Sequence, residues 1–145
     1  MTFNKAEPLY LSIHDIKEGQ ERKETLRITH EMVRSFASLI QDNAPIHANP
    51  IHALEMNFDK PIVHGFLVSA GYSGILGMYL PGCNTIIQKI SIEMRSPVYI
   101  SDLITYKVEV SRVIPAVHSV CLDLSATNQE NLLVNKGSAT CVFRN

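Results

Sequence analysis

Along this chain the apolar positions change their period, and the changes mark out the elements. Residues 21–28 (ERKETLRI) alternate weakly and predict a first strand. Thr29 is a good N-cap, and Met32, Val33, Phe36, Leu39 and Ile40 then recur at helical spacing. Asn49-Pro50 predicts a second helix start, a cap followed by proline in the first turn. That helix should end near Phe58, because Lys60 precedes Pro61 and is pushed out of the helical region. Residues 63–80 form a charge-free apolar run, closed by Pro81-Gly82 as a helix stop. Beyond Gly82 the period becomes two. In residues 85–95 the alternation places Ile86, Gln88, Ile90, Ile92 and Met94 on one face. Ser96-Pro97 breaks that strand, and residues 103–114, 117–127 and 132–143 predict three more, with residues 128–131 (NQEN) as the last turn. Helices first, then four strands on short turns, predict an α+β fold in which one antiparallel sheet wraps one apolar helix.

The apolar run reaches the length that invites a membrane span. Its Gly65, Ser69, Gly71, Ser73, Gly74 and Gly77 dilute the apolar density, and no basic flank marks a cytoplasmic side. A helix without a polar face can equally be enclosed by protein, and small residues let strands approach its backbone. The expectation is therefore a central core helix and no membrane partner. The 145 residues suit one domain, residues 1–145, with 46% hydrophobic and 19% charged residues, an ordinary globular balance. A net charge of −1 and the lack of any long Lys/Arg run argue against nucleic acid as a partner. The N-terminal order of residues is not that of a signal peptide. The three cysteines, Cys83, Cys121 and Cys141, show no metal-type spacing, and a reduced, cytoplasmic protein is expected.

Two features carry possible chemistry. The polar loop Asp42-Asn43-Ala44-Pro45-Ile46-His47 holds a carboxylate and an imidazole five positions apart, with Pro45 to stiffen it. Such a pair can share one water, one group taking a proton while the other gives one. The same residues could instead cap a turn and face solvent. Then His64-Gly65 opens the apolar run. The first N–H groups of a helix are unpaired, and a Gly there lets a ligand oxygen approach them. Gly65 could equally serve only a tight loop-to-helix turn. A metal is the rival reading, with Asp42, His47, His52 and His64 as ligands, but their spacing matches no compact zinc pattern. No cysteine lies in the polar loop, so a thiol nucleophile has no support.

Three segments resemble one family. Asp42-x-x-Pro45-x-His47, then Phe58-x-x-Pro61-Ile62-Val63-His64-Gly65, then Ser73-Gly74-Ile75-Leu76-Gly77 before Leu80-Pro81-Gly82, stand in the order and at the intervals of the MaoC-like dehydratases, and most closely of the (R)-specific enoyl-CoA hydratases. Met94-Arg95-Ser96-Pro97-Val98 is similar too. The resemblance implies a hot-dog fold, a long central helix wrapped by a curved antiparallel sheet, in a homodimer or higher homo-oligomer. It implies a lyase that adds water to a trans-2-enoyl thioester or removes it from an (R)-3-hydroxyacyl thioester. Asp42 is then the base on water, His47 the acid toward the α-carbon, and the Gly65 N–H the donor to the thioester carbonyl. Ser73, His64 and Pro45 are implied as supporting residues. No metal or redox cofactor is implied, since the pantetheine arm of CoA or of a carrier protein is the substrate's own handle.

The chain departs from the pattern at two positions. Ala44 stands where the family has Asn, and Gln41 where it has Gly or an acidic residue. These departures motivate two alternatives: a pathway-specific dehydratase for a branched or carboxylated acyl thioester, and a hot-dog protein that binds acyl thioesters without turnover.

Overall fold

The computed structural model describes residues 6–144. In order it contains β1 (Glu21–Arg27), α1 (His30–Ile40), α2 (Pro50–Glu55), α3 (Gly65–Met78), β2 (Thr85–Met94), β3 (Leu103–Ile114), β4 (Ser119–Thr127) and β5 (Leu133–Phe143), with short 3-10 turns at Ile13–Asp15, Pro45–His47 and Pro115–Val117. The strands form one antiparallel sheet in the order β1-β3-β4-β5-β2. Consecutive strands β3, β4 and β5 are neighbours, as short turns require, while β2 crosses to pair with β5 and β1 with β3.

Local chemistry sets the helix starts as the sequence predicts. The Thr29 side chain accepts a hydrogen bond from Met32 N, and the Asn49 side chain accepts from Ile51 N and His52 N. α2 stops at Glu55, earlier than proline alone demands, because Asn57 turns to a φ of 64°. Val117 belongs to a 3-10 turn, so the fourth strand starts at Ser119. Among the described residues no helix is long and apolar enough to cross a membrane.

α3 packs against one face of the sheet. Leu67, Val68, Gly71, Tyr72, Ile75 and Leu76 form its buried stripe and meet Tyr106, Val108, Val110, Leu122 and Leu124 of the sheet in one core. Gly71 is required by this contact: a Cβ there would stand 2.6 Å from the Tyr106 hydroxyl. The Tyr106 hydroxyl donates to Val68 O at 2.7 Å, and the two buried rings of Tyr72 and Tyr106 meet edge to face at 5.1 Å.

Two expectations change here. The first concerns α3, whose apolar sequence suggested burial all round. In the single chain only one face is covered, and Phe66 on the other face is 74% exposed. The second concerns β2. A bulge between Ile87 and Lys89 shifts its register against β5. Each residue pairs with a partner that points the same way. Ile87, Ile90, Ile92 and Met94 oppose Cys141, Ala139, Gly137 and Asn135, the inward positions of β5, and Ile86 moves to the outer face. Strict alternation cannot see an inserted residue, which reverses every side chain beyond it. Ile90 and Met94 point inward yet stay partly exposed, because β2 is the edge of the sheet and no further strand lies beyond it.

Candidate active site

The polar loop sits between α1 and α2, over the N-terminus of α3. α1 ends with Gln41 in the left-handed conformation at φ 58°, which explains why a glycine would be at home there. Asp42 follows at once, and its Oδ1 accepts from Ala44 N at 3.2 Å, closing an Asx turn. Pro45 then opens the 3-10 turn that carries His47. Ala44 is the N-cap of that turn and has no side chain to cap it. The Asx turn uses only the Ala44 backbone, so the carboxylate keeps its hold although the cap is lost.

His47 is fixed from behind. Its Nδ1 donates to Ile62 O at 2.8 Å, which leaves Nε2 as the ring's free nitrogen. That Nε2 lies 3.9 Å from Asp42 Oδ2, too long for a direct hydrogen bond and short enough for one water to touch both. The His47 side chain is mostly shielded, whereas that of Asp42 is 41% exposed, so the carboxylate is open to solvent on one side.

His64, the residue before α3, completes the cluster. Its Nε2 donates to Asp42 O at 3.1 Å, its ring stacks on His47 with centroids 3.8 Å apart, and Phe36 covers it edge-on at 5.5 Å. Its Nδ1 is buried without a partner among the described residues. The ring is thus a wedge that holds both the Asp42 backbone and the His47 plane. Asp42, His47 and His64 bring one ligating atom each within 4.8 Å of one another. The stack works against a shared ion: the rings are only 25° from parallel, so their in-plane lone pairs run side by side and do not converge. His52, the other candidate ligand, points elsewhere and sits 3.6 Å from Glu55.

Two cavities meet at His47. One is a wide groove of mixed lining, with Val33, Leu39 and Ile100 beside the polar His30, Arg34, Asp42, Asn43, Lys60 and His64. The other is a smaller pocket of about 320 Å³ lined by Ile62, Val63, Gly65, Val68 and Val98 among others. Gly65 is the first residue of α3, so its N–H has no partner within the helix. Met94 of β2 lies over it, within 2.8 Å of where a Cβ would be. Of the residues singled out from sequence, Asp42, His47, His64, Pro45 and Gly65 come together here. Ser73 does not: it is exposed, eight positions further along α3, or roughly 12 Å at the helical rise. Sequence reasoning passed over Met94 as a neighbour of Gly65, since it comes from a strand whose register the bulge alters.

The chain matches the MaoC-like domain over residues 13–129. It is 36% identical over 101 residues to an (R)-specific enoyl-CoA hydratase of Aeromonas caviae, covering 70% of this chain and 75% of that protein. The chain belongs to the MaoC-like family. A second relative, an (R)-specific enoyl-CoA hydratase of Rhodospirillum rubrum, is 32% identical over 126 residues, covering 87% of each. The solved (R)-hydratase from A. caviae involved in PHA biosynthesis superimposes with a TM-score of 0.84 at 31% identity, over 89% of this chain and 98% of that one. The sheet wrapped on α3 is therefore the hot-dog fold, and the Asp42–His47 loop of this MaoC-like chain falls inside the matched segment.

Proposed function

We propose that the protein is a hydro-lyase that adds water to a trans-2-enoyl thioester and, in reverse, dehydrates the (R)-3-hydroxyacyl thioester. The observation that carries this reading is the Asp42 Oδ2 to His47 Nε2 separation of 3.9 Å, with His47 lining the same pocket as Gly65, the first residue of α3. A water between the two side chains is held by both. Asp42 takes its proton as the oxygen adds to the β-carbon, and His47, protonated on Nε2, delivers a proton to the α-carbon. The charge that gathers on the thioester oxygen meets the Gly65 N–H and the positive end of α3. His64 acts behind this pair as a positioning residue. The chemistry needs no redox group, and the stacked imidazoles favour proton transfer over metal binding.

The handle is the pantetheine arm of CoA or of an acyl carrier, for which the wide groove, with Arg34, Asn43 and Lys60 on its walls, is the suitable channel. The three free cysteines accord with a reducing, cytoplasmic setting. A homodimer would supply the missing cover, burying the apolar β2 edge, with Ile90 43% and Met94 53% exposed, and the open Phe66 face of α3.

The test is a panel of enoyl thioesters, CoA-bound and carrier-bound, followed by loss of the conjugated-enoyl absorbance, with Asp42→Asn as the control. Asn keeps the oxygen that accepts from Ala44 N, so the loop stays folded while the base is lost. Turnover by the wild type and a fall of about 10²- to 10⁴-fold in Asp42→Asn are expected. Binding of acyl thioesters without wild-type turnover on any of them refutes the enzyme reading.

A further inference from the structure

The small pocket beside Gly65 is lined by a buried polar side chain that the hydration chemistry does not use. Asn135 of β5 lines it and is only 2% exposed. A buried amide without partners is costly, so each end of this one has to be accounted for. The oxygen end is taken: the buried Tyr72 hydroxyl of α3 donates to Asn135 Oδ1 at 2.6 Å. With its oxygen on Tyr72, the amide turns its nitrogen away from that hydroxyl. The nitrogen end has no partner among the described residues, and it is not sealed in the core, where His64 Nδ1 is the orphan nitrogen. It opens on the pocket. The pocket thus contains a rigid N–H donor inside walls made of Ile62, Val63, Val68 and Val98.

The position of this donor relative to the chemistry follows from the register. Asn135 is the direct cross-strand partner of Met94, and Met94 is the side chain that lies over Gly65. Paired side chains start about 4.5–5.5 Å apart. A thioester carbonyl at the Gly65 N–H therefore places the Asn135 amide a few carbons further along the ligand. Two branches of a thioester leave its carbonyl, and the cavities distinguish them. The polar pantetheine arm fits the wide groove with Arg34, Asn43 and Lys60, on the other side of His47. The small apolar pocket is left for the acyl chain.

Resting on the hydratase reading for this orientation, we infer that Asn135 is a specificity residue, and that the acyl chain accepted here carries an oxygen acceptor a few carbons from the thioester. A plain alkyl chain would strip the amide nitrogen of water and give it nothing in return, which is the strong kind of discrimination. The acceptor can be a neutral carbonyl or a carboxylate. Arg95, ion-paired with Glu93, also borders the pocket and is available to a carboxylate.

The experiment is calorimetric binding of saturated acyl-CoA analogues, which cannot react: a six-carbon chain, its 5-oxo counterpart, and a chain of equal length ending in carboxylate. The wild type should bind at least one oxygenated analogue about tenfold or more tightly than the plain one, the 5-oxo arm reporting a neutral acceptor and the carboxylate arm a charged one. Asn135→Leu should abolish that preference. Tyr72→Phe, which leaves Asn135 in place and frees its amide to turn, should reduce it, and this second variant serves if Asn135→Leu does not fold. The inference is overturned if the wild type shows no preference, including by binding none of the analogues. Equal weakening of all three analogues by Asn135→Leu overturns it as well, because the amide would then serve the thioester itself. Failure of the hydratase reading is seen separately, as absence of turnover on enoyl thioesters.

Discussion

Gly65→Ala separates stability from activity in a way the geometry makes quantitative. The backbone at Gly65 is ordinary helix, so alanine brings no strain and gains at most about 1 kcal/mol of helix propensity. Its Cβ would fall within 2.8 Å of Met94 Cε and closer to Sδ, against a normal approach of about 3.5–4 Å. Met94 has to move, and it can: it is a flexible chain, 53% exposed on an edge strand. Full burial of such a side chain is worth about 1.5–3 kcal/mol, so loosening this half-exposed one costs about 1 kcal/mol. The two effects nearly cancel, and Tm should stay within about 4 °C of the wild type. Activity should not survive as well. The methyl group and the displaced thioether occupy the space in front of the Gly65 N–H, and loss of one oxyanion donor costs about 10²- to 10³-fold. The assay is kcat/KM on an enoyl thioester, beside a thermal melt of the same preparation. Gly71→Ala is the internal control: its Cβ meets the buried, immovable Tyr106 ring, so overpacking should cost about 1–3 kcal/mol and lower Tm while leaving the site chemistry intact. Full activity in Gly65→Ala, at unchanged Tm, would show that the carbonyl does not approach this amide.

His47→Ala should abolish turnover as Asp42→Asn does, with unchanged far-ultraviolet circular dichroism, because the His47 ring touches a loop carbonyl and the His64 ring and belongs to no α-helix or strand ladder; recovery of the wild-type rate would remove His47 from the chemistry. Light scattering at micromolar concentration should report a dimer, and Ile90→Lys on the β2 edge should convert it to a monomer; a monomeric wild type refutes the two-fold arrangement. Burial, with a further contribution from Cys121, pushes the Cys141 thiol up to about 12, so the reactive thiolate is scarce at pH 8 and labelling of Cys141 should wait for unfolding. Raising the pH toward 12 increases that thiolate fraction, whereas prompt native-state labelling at pH 8 would contradict the packing of β5.

The chain's own residues determined the local structure. Caps at Thr29 and Asn49, the proline stops and the period-two runs define the helix starts and the strands, because each depends on interactions within a few residues. The loop holding Asp42 and His47 was equally legible, since Pro45 and the Asx turn act over one turn of chain. Asn135 lay on the inward face of β5 with Ala139 and Cys141, a polar residue in an apolar alternation, but nothing local said which cavity it faced. Tertiary structure alone decided that His64 would stack on His47, that Met94 would cover Gly65, and that Ser73 would sit on an open face. Those contacts depend on the bulge in β2 and on which side of α3 the sheet covers. Both are settled by pairing and packing between segments far apart in sequence, where a one-residue shift moves a side chain to the opposite face.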